Sequence, residues 1–346
     1  MTFKALLQKI DPQTTAFVIG NGINRYEDKS RKNCDDCGEF AACQDKRKKK
    51  NISWQTILKI ICEKRKIRID FNNQCDLSFP EIASLVDLHD SNNAATSHTN
   101  GSRSAKRNIK QELCSLTKKM EPGDTHRAFI QYVRKLDIPV ITTNFDMLLS
   151  RDLERVTLEF EDKSFFRANR AYLWNVCYKE NKSNVTPSNY REVMEGFGVW
   201  HIHGNVDFPA SIKIGLEDYV NAVATVKTMI SGTPKKNDPR VPLYQFRPDD
   251  WVGRNTLLDM FFHRDLIFLG LSLETQEVFL RWLIMQRAKY LRSLVSKTAY
   301  PKRKAWYVYV DRCKLNPSTP KGQLFKACGV DLIPADKFSD IYDCFK

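Results

Sequence analysis

Apolar and β-branched runs recur along the chain, and each breaks into polar or glycine-containing residues. In Ile138-Pro-Val-Ile-Thr-Thr-Asn-Phe-Asp146, the residues Ile138, Val140, Ile141 and Thr142 favour a pleated backbone and predict a strand covered on both faces. Asn144 and Asp146 fall at its carboxyl end, where open α/β sheets bind their ligands. Read locally, Asn144 would instead cap a helix starting at Met147-Leu148-Leu149. Similar runs at 14–20, 198–204, 265–270, 304–311 and 330–334 predict further strands.

Helical spacing fills the intervals. Trp54, Ile57, Leu58 and Ile61 predict an amphipathic helix over 54–65, and residues 80–137 read as helical with a polar break at 91–102. Within that stretch, Pro122-Gly123-Asp124 marks the start of a helix running from about Thr125 to Leu136. Val278, Phe279, Trp282 and Leu283 form another apolar stripe. Strands alternating with helices predict an α/β fold, a Rossmann-like, doubly wound, mostly parallel sheet with a helical insertion. The expected organisation is one domain over 1–346, with the insertion at 52–137 and a small variable module at 205–264.

Several breaks carry candidate chemistry. Gly20-Asn-Gly-Ile-Asn24 places two glycines two apart after a strand, which lets a backbone turn tightly and approach a phosphate. A full dinucleotide fingerprint needs a third glycine where Arg25 stands. On an extended strand His201 and His203 would face the same way, and one of the two can serve as a base or as a hydrogen-bonded core residue. Gly270 and Ser272, between strand and helix, suit a phosphate or ribose. Cys34, Cys37 and Cys43 have a spacing at which thiolates can share a zinc, with a fourth ligand needed from Cys62, Cys75 or a histidine. His89 and His98 receive no role, and no metal is assigned to the site.

Composition changes this picture in two ways. No run of eighteen apolar residues and no basic-then-apolar leader is found, which predicts no membrane span and a cytoplasmic protein whose ten cysteines are reduced thiols. The net charge of +14 would attract nucleic acid, an acidic partner or an anionic ligand, without choosing among them. Its densest run, Lys46-Arg-Lys-Lys-Lys50, lacks apolar periodicity and reads as a solvated loop.

In chain order, Gly20-Asn-Gly-Ile-Asn24, Thr142-Thr-Asn-Phe-Asp146, His203-Gly204 and Gly270-Leu-Ser272 together resemble the sirtuin family and its prokaryotic NAD-hydrolase relatives of antiphage defence. The resemblance implies NAD as substrate, with Asn144 and His203 catalytic. It implies that Gly20, Asn21, Gly22, Asn24, Thr143, Asp146, Gly270 and Ser272 bind the dinucleotide. Within that set Gly20 and Gly22 pack on the pyrophosphate, Asn24 contacts the ribose side, and Asp146 accepts from the carboxamide. Asn144 holds the nicotinamide ribose or a water, and Ser272 serves the phosphate or adenosine half. Two departures matter: residues 205–269 contain no cysteine, so the deacylase zinc module is missing, and Arg25-Tyr26-Glu27-Asp28 replaces the segment expected after the first loop. With Gly-Leu-Glu-Asp-Tyr at 215–219, the pattern looks like an NAD glycohydrolase that depletes NAD in abortive infection. Such relatives act as homo-oligomers or with an activating partner such as a HerA-type ATPase. The competing readings are an NAD-dependent deacylase and a nucleic-acid-binding or nuclease subunit of a defence complex.

Overall fold

The computed structural model describes residues 1–30, 54–71, 77–96, 108–118, 120–158, 174–180, 196–233, 241–245, 250–254, 256–274, 277–294, 302–310 and 315–346. Cys34, Cys37, Cys43, Cys75, Lys46–Lys50 and His98 lie outside the described residues.

Among the described residues eight strands form one sheet: β1 (Thr15–Ile19), β2 (Val140–Thr142), β3 (Glu154–Thr157), β4 (Val176–Lys179), β5 (Val199–His201), β6 (Asp265–Leu269), β7 (Ala305–Val310) and β8 (Val330–Ala335). Their order across the sheet is β3-β4-β5-β2-β1-β6-β7-β8. All pairings from β5 to β8 are parallel, whereas β3 pairs β4 and β4 pairs β5 antiparallel at one edge. The fold is therefore α/β with a mostly parallel, Rossmann-like sheet. The antiparallel edge pair is absent from the sequence prediction, because Arg155-Val156-Thr157 and Val176-Cys177-Tyr178 are short and lack a turn dipeptide between them. Pro334, which cannot donate to a ladder, sits in β8 at the opposite edge, where a missing donor is tolerated.

The central strands are buried throughout, and alternate side chains enter two different cores. Ala16, Val18, Ile141, Trp200, Leu266 and Phe268 face a layer that includes the helices Leu216–Ser231, Leu257–His263 and Val278–Leu294. Phe17, Ile19, Val140, Val199, Ile267 and Leu269 face the helices Phe3–Leu7 and Asp124–Lys135 and the carboxyl-terminal segment. There Phe129 meets Phe17 edge-on at 5.4 Å and Phe345 at 5.0 Å.

A third cluster sits over the carboxyl end of the sheet. The helices Trp54–Lys64, Phe79–Thr96 and Ile109–Thr117 bury Ile57, Ile61, Val86 and Leu113 together with Phe145, Leu148, Ile212 and Ile214 from the site loops. Helix Asp124–Lys135, at the end of the same stretch, packs on the sheet instead. Its start is capped from a distance: the Glu27 carboxylate accepts from the amides of Asp124 (3.1 Å) and Thr125 (2.8 Å), an anion at a helix amino terminus.

Because Phe129 is 0 % exposed and joins β1 to the carboxyl terminus, Phe129→Ala should cost about 3–5 kcal/mol of stability. Denaturant unfolding checks this; a loss under about 1 kcal/mol would show that the ring is not an anchor of this layer.

Candidate active site

Parallel pairing of β5, β2, β1 and β6 brings four carboxyl ends to one rim, and strand order changes direction between β1 and β6. Such a switch point is where an α/β sheet opens a crevice for ligands. The turn after β2 is tied to β1: the Thr143 amide donates to the Ile19 carbonyl at 2.9 Å, and the hydroxyls of Thr142 (3.2 Å) and Thr143 (3.5 Å) do the same. No helix follows Asn144, since residues 145–153 form bends and turns, so the capping alternative does not apply.

The two histidines diverge. β5 ends at His201, and a turn closed by the Gly204 amide on the His201 carbonyl (3.2 Å) carries His203 away from the extended geometry. Gly204 takes φ +79°, and a Cβ there would meet the Ser211 carbonyl oxygen at 2.2 Å, so this turn requires glycine. The expectation that His201 and His203 share a strand face is therefore corrected: the strand stops before His203. His201 Nδ1 donates to the Asn144 carbonyl at 2.9 Å, which leaves Nε2 to accept from the Ser150 hydroxyl at 3.1 Å. It is a neutral positioning residue, its pKa lowered by burial to about 4.

His203 is 3 % exposed, and among the described residues neither ring nitrogen has a hydrogen-bond partner. Burial and the neighbouring Lys213 charge lower its pKa to about 3. Rings surround it: Tyr219 at 5.4 Å, Phe279 at 5.9 Å and Phe145 at 6.4 Å, with Trp54 behind Phe145 at 4.5 Å. Nearby, Asn144 is 1 % exposed and its Oδ1 is also without a partner among the described residues, while its Nδ2 reaches the Gly20 carbonyl at 3.5 Å. Each such atom, buried and unsatisfied, costs about 1–3 kcal/mol. Three of them at one rim imply a polar ligand.

Asn24 and Asp146 meet directly. Asn24 Nδ2 donates to Asp146 Oδ2 at 2.9 Å, the Leu148 amide donates to Asp146 Oδ1 at 3.1 Å, and Asn24 Oδ1 lies 2.9 Å from His126 Nε2. The Gly123 amide donates to His126 Nδ1 at 3.2 Å, so Nε2 carries the proton and donates to Asn24. Burial raises the Asp146 pKa, opposed by its bonds from Leu148 and Asn24.

Gly20 and Gly22 lie against the loop after β6. A Cβ on Gly22 would stand 2.5 Å from the Gly270 Cα, and the Gly22 amide donates to the Gly270 carbonyl at 2.8 Å. Gly270 itself has φ +65°. The glycines thus let two loops touch, a demand made by the protein itself. Asn21 begins the helix Gly22–Ser30 by accepting from the Arg25 amide at 3.2 Å. Ser272 is exposed, and its carbonyl accepts from the Tyr307 hydroxyl at 3.2 Å.

The model of the SIR2-like domain family matches residues 139–333, more than half of the chain. The chain belongs to the SIR2-like family. No curated protein matches it. The SIR2-like stretch includes Asn144, Asp146, His203, Gly270 and Ser272, while Gly20–Asn24 and the carboxyl-terminal segment lie outside it. Membership points to NAD-related enzymatic activity, since SIR2-like domains use NAD as a substrate. Among the described residues no cluster of metal-ligating side chains and no helix long and apolar enough to cross a membrane is found.

Four groups near this SIR2-like site went unassigned in the sequence. Lys213 is 4 % exposed, its amide donates to the His203 carbonyl at 2.9 Å, and burial pushes its ammonium down to about 8. Glu277, at the start of helix Val278–Leu294, is pushed up by burial to about 7, and its charge bears on Tyr219. His126 belongs to the buried relay. Tyr219 was visible within the 215–219 pattern, whereas nothing local distinguished Lys213 among so many lysines.

A histidine whose folded pKa is lowered gives stability that is fully present above the ordinary value near 6.5 and is lost as pH falls from there towards about 3. Removing His203 should therefore flatten the rise of stability between pH 4 and 6.5 by up to about 1.4 kcal/mol per pH unit. Asp146 and Glu277, raised by burial, act in the opposite sense but are common to both proteins. Denaturant unfolding of wild type and His203→Gln across this range makes the comparison; equal slopes would mean that His203 is solvated.

Proposed function

We propose that this SIR2-like protein is an NAD glycohydrolase that cleaves NAD to nicotinamide and ADP-ribose. The observation that carries the reading is the pair of buried, unpartnered groups at the rim, Asn144 Oδ1 and the ring nitrogens of His203. A dinucleotide's ribose hydroxyls and an attacking water are polar groups of the kind that would satisfy them. In this reading Asn144 orients the nicotinamide ribose or the water, and the unprotonated ring of His203, once bonded to the ligand, acts as general base. Asp146, held by Asn24 and Leu148, would accept from the carboxamide in this reading. Leaving nicotinamide develops positive charge on the ribose, and the enclosing aromatic rings keep bulk water from that centre.

Hydrolysis is favoured over deacylation because residues 205–269 offer no cysteine for the deacylase zinc module. A role in antiphage defence by NAD depletion follows from the same likeness, with the protein in the cytoplasm. A free NADase would poison its host, so activity would be gated by homo-oligomer formation or by an activating partner such as a HerA-type ATPase. The +14 charge keeps nucleic acid as an additional partner, whose binding would weaken with salt at a log-log slope of about −0.9 per neutralised phosphate.

Nicotinamide release from NAD by the purified protein, measured at several protein concentrations, tests the reading. Asn144→Ala and His203→Ala should each lower the rate by about a hundredfold or more. A steep rise of specific activity with concentration would support gating by assembly. Undiminished release from either variant would overturn its assignment, and acyl-lysine-dependent release would replace hydrolysis by deacylation.

A further inference from the structure

The carboxyl-terminal segment reaches back to the glycine loops. Ser339–Tyr342 is a short helical turn, followed by a 3-10 turn whose Phe345 anchors among Phe3, Phe17 and Phe129. Anchored this way, Tyr342 stacks on Tyr26 with centroids 4.9 Å apart and planes 25° apart, and the Tyr26 hydroxyl donates to Asp343 Oδ1 at 3.0 Å. The Tyr342 side chain is 1 % exposed, and its hydroxyl lies against both loops. It stands 2.8 Å from the position a Cβ would take on Gly22 and 2.6 Å from that on Gly270. Any side chain at either glycine would displace it.

A buried phenol ordinarily finds a hydrogen-bond partner. Among the described residues no hydrogen bond is made by this hydroxyl, and it is not one of the fully enclosed unpartnered atoms. Three further facts define what would complete it. The hydroxyl sits at the amino terminus of the nine-residue helix Gly22–Ser30, which favours negative charge. The exposed Arg25 guanidinium is close enough for its charge to act on the Tyr342 phenol. Burial also keeps the phenol protonated, and hence a donor.

We propose that Tyr342 is a substrate-binding residue whose hydroxyl donates to a diphosphate oxygen of the dinucleotide, with Arg25 supplying the opposing charge. This rests on the NAD reading above and extends it to a segment beyond the SIR2-like match. The fit explains why the loop tolerates arginine where a dinucleotide fingerprint has its third glycine: the position faces outward and carries charge to the same anion. The carboxyl terminus then becomes a wall of the site, and displacing it would weaken substrate binding.

Calorimetric titration with ADP-ribose, which the reaction cannot consume, and with nicotinamide riboside, which has no diphosphate, tests this. Tyr342→Phe should weaken ADP-ribose binding about tenfold or more, as expected for losing a hydrogen bond to a charged group, and leave nicotinamide riboside binding unchanged. Tyr26→Phe breaks the bond to Asp343 and gives the reference for loosened packing. Equal ADP-ribose affinity in wild type and Tyr342→Phe overturns the role of Tyr342 while leaving the NAD reading standing. Equal weakening towards both ligands, matched by Tyr26→Phe, would reduce Tyr342 to packing. Wild type that binds neither ligand fails the NAD reading itself.

Discussion

One buried carboxylate joins the halves of the site. Asp146, 3 % exposed, accepts from Asn24 of the first loop and from the Leu148 amide of its own turn, so β1 and β2 cannot separate at this end without leaving a charge or a donor unpaired. Asn24 is in turn oriented by His126, and His126 by the Gly123 amide. The cap on that same helix, from Glu27, closes the circuit back to the helix after the first loop. A shift of helix Asp124–Lys135 would therefore be felt at Asp146. Breaking one link leaves the next group buried and unsatisfied, which makes the relay stiff.

Against this satisfied network the unsatisfied atoms acquire meaning. His201 and His203 are two residues apart and both buried, yet among the described residues one has both nitrogens bonded and the other neither. The first holds the Asn144 carbonyl and so fixes the side chain that faces the rim. His203 is kept neutral by desolvation and by Lys213, a cation held beside it by the pairing of their backbones. The protein invests stability in this arrangement, because three atoms forgo hydrogen bonds that water would give them. A ligand with matching groups would offset that cost.

Much of the fold was legible because buried parallel strands read as apolar runs: β1, β2, β5, β6 and β7 fall within such runs, and β8 exceeds its run by Ala335 alone. The helices Trp54–Lys64 and Asp124–Lys135 follow their spacing and start signals. β3 and β4 were not legible, being four residues each at the edge of the sheet and stabilised by pairing rather than by pattern. At the site, sequence order brought Asn24, Asn144, Asp146, His203 and Gly270 forward. It did not reveal that Asn24 and Asp146 bond to each other across 122 positions, nor that Gly22 is required by contact with Gly270. Tyr342 was invisible for the same reason: its place beside Gly22 and Gly270 comes from where the chain returns, not from its neighbours in sequence.

The most direct test is nuclear magnetic resonance of the protein with ¹⁵N-labelled histidine, titrated with ADP-ribose and nicotinamide. If the rim is the NAD site, the ring nitrogens of His203 shift as they gain partners, while those of His201, already bonded on both sides, stay in place. A His203 spectrum unchanged in ligand-saturated protein would contradict the account, because the unpartnered atoms would then face something other than the substrate.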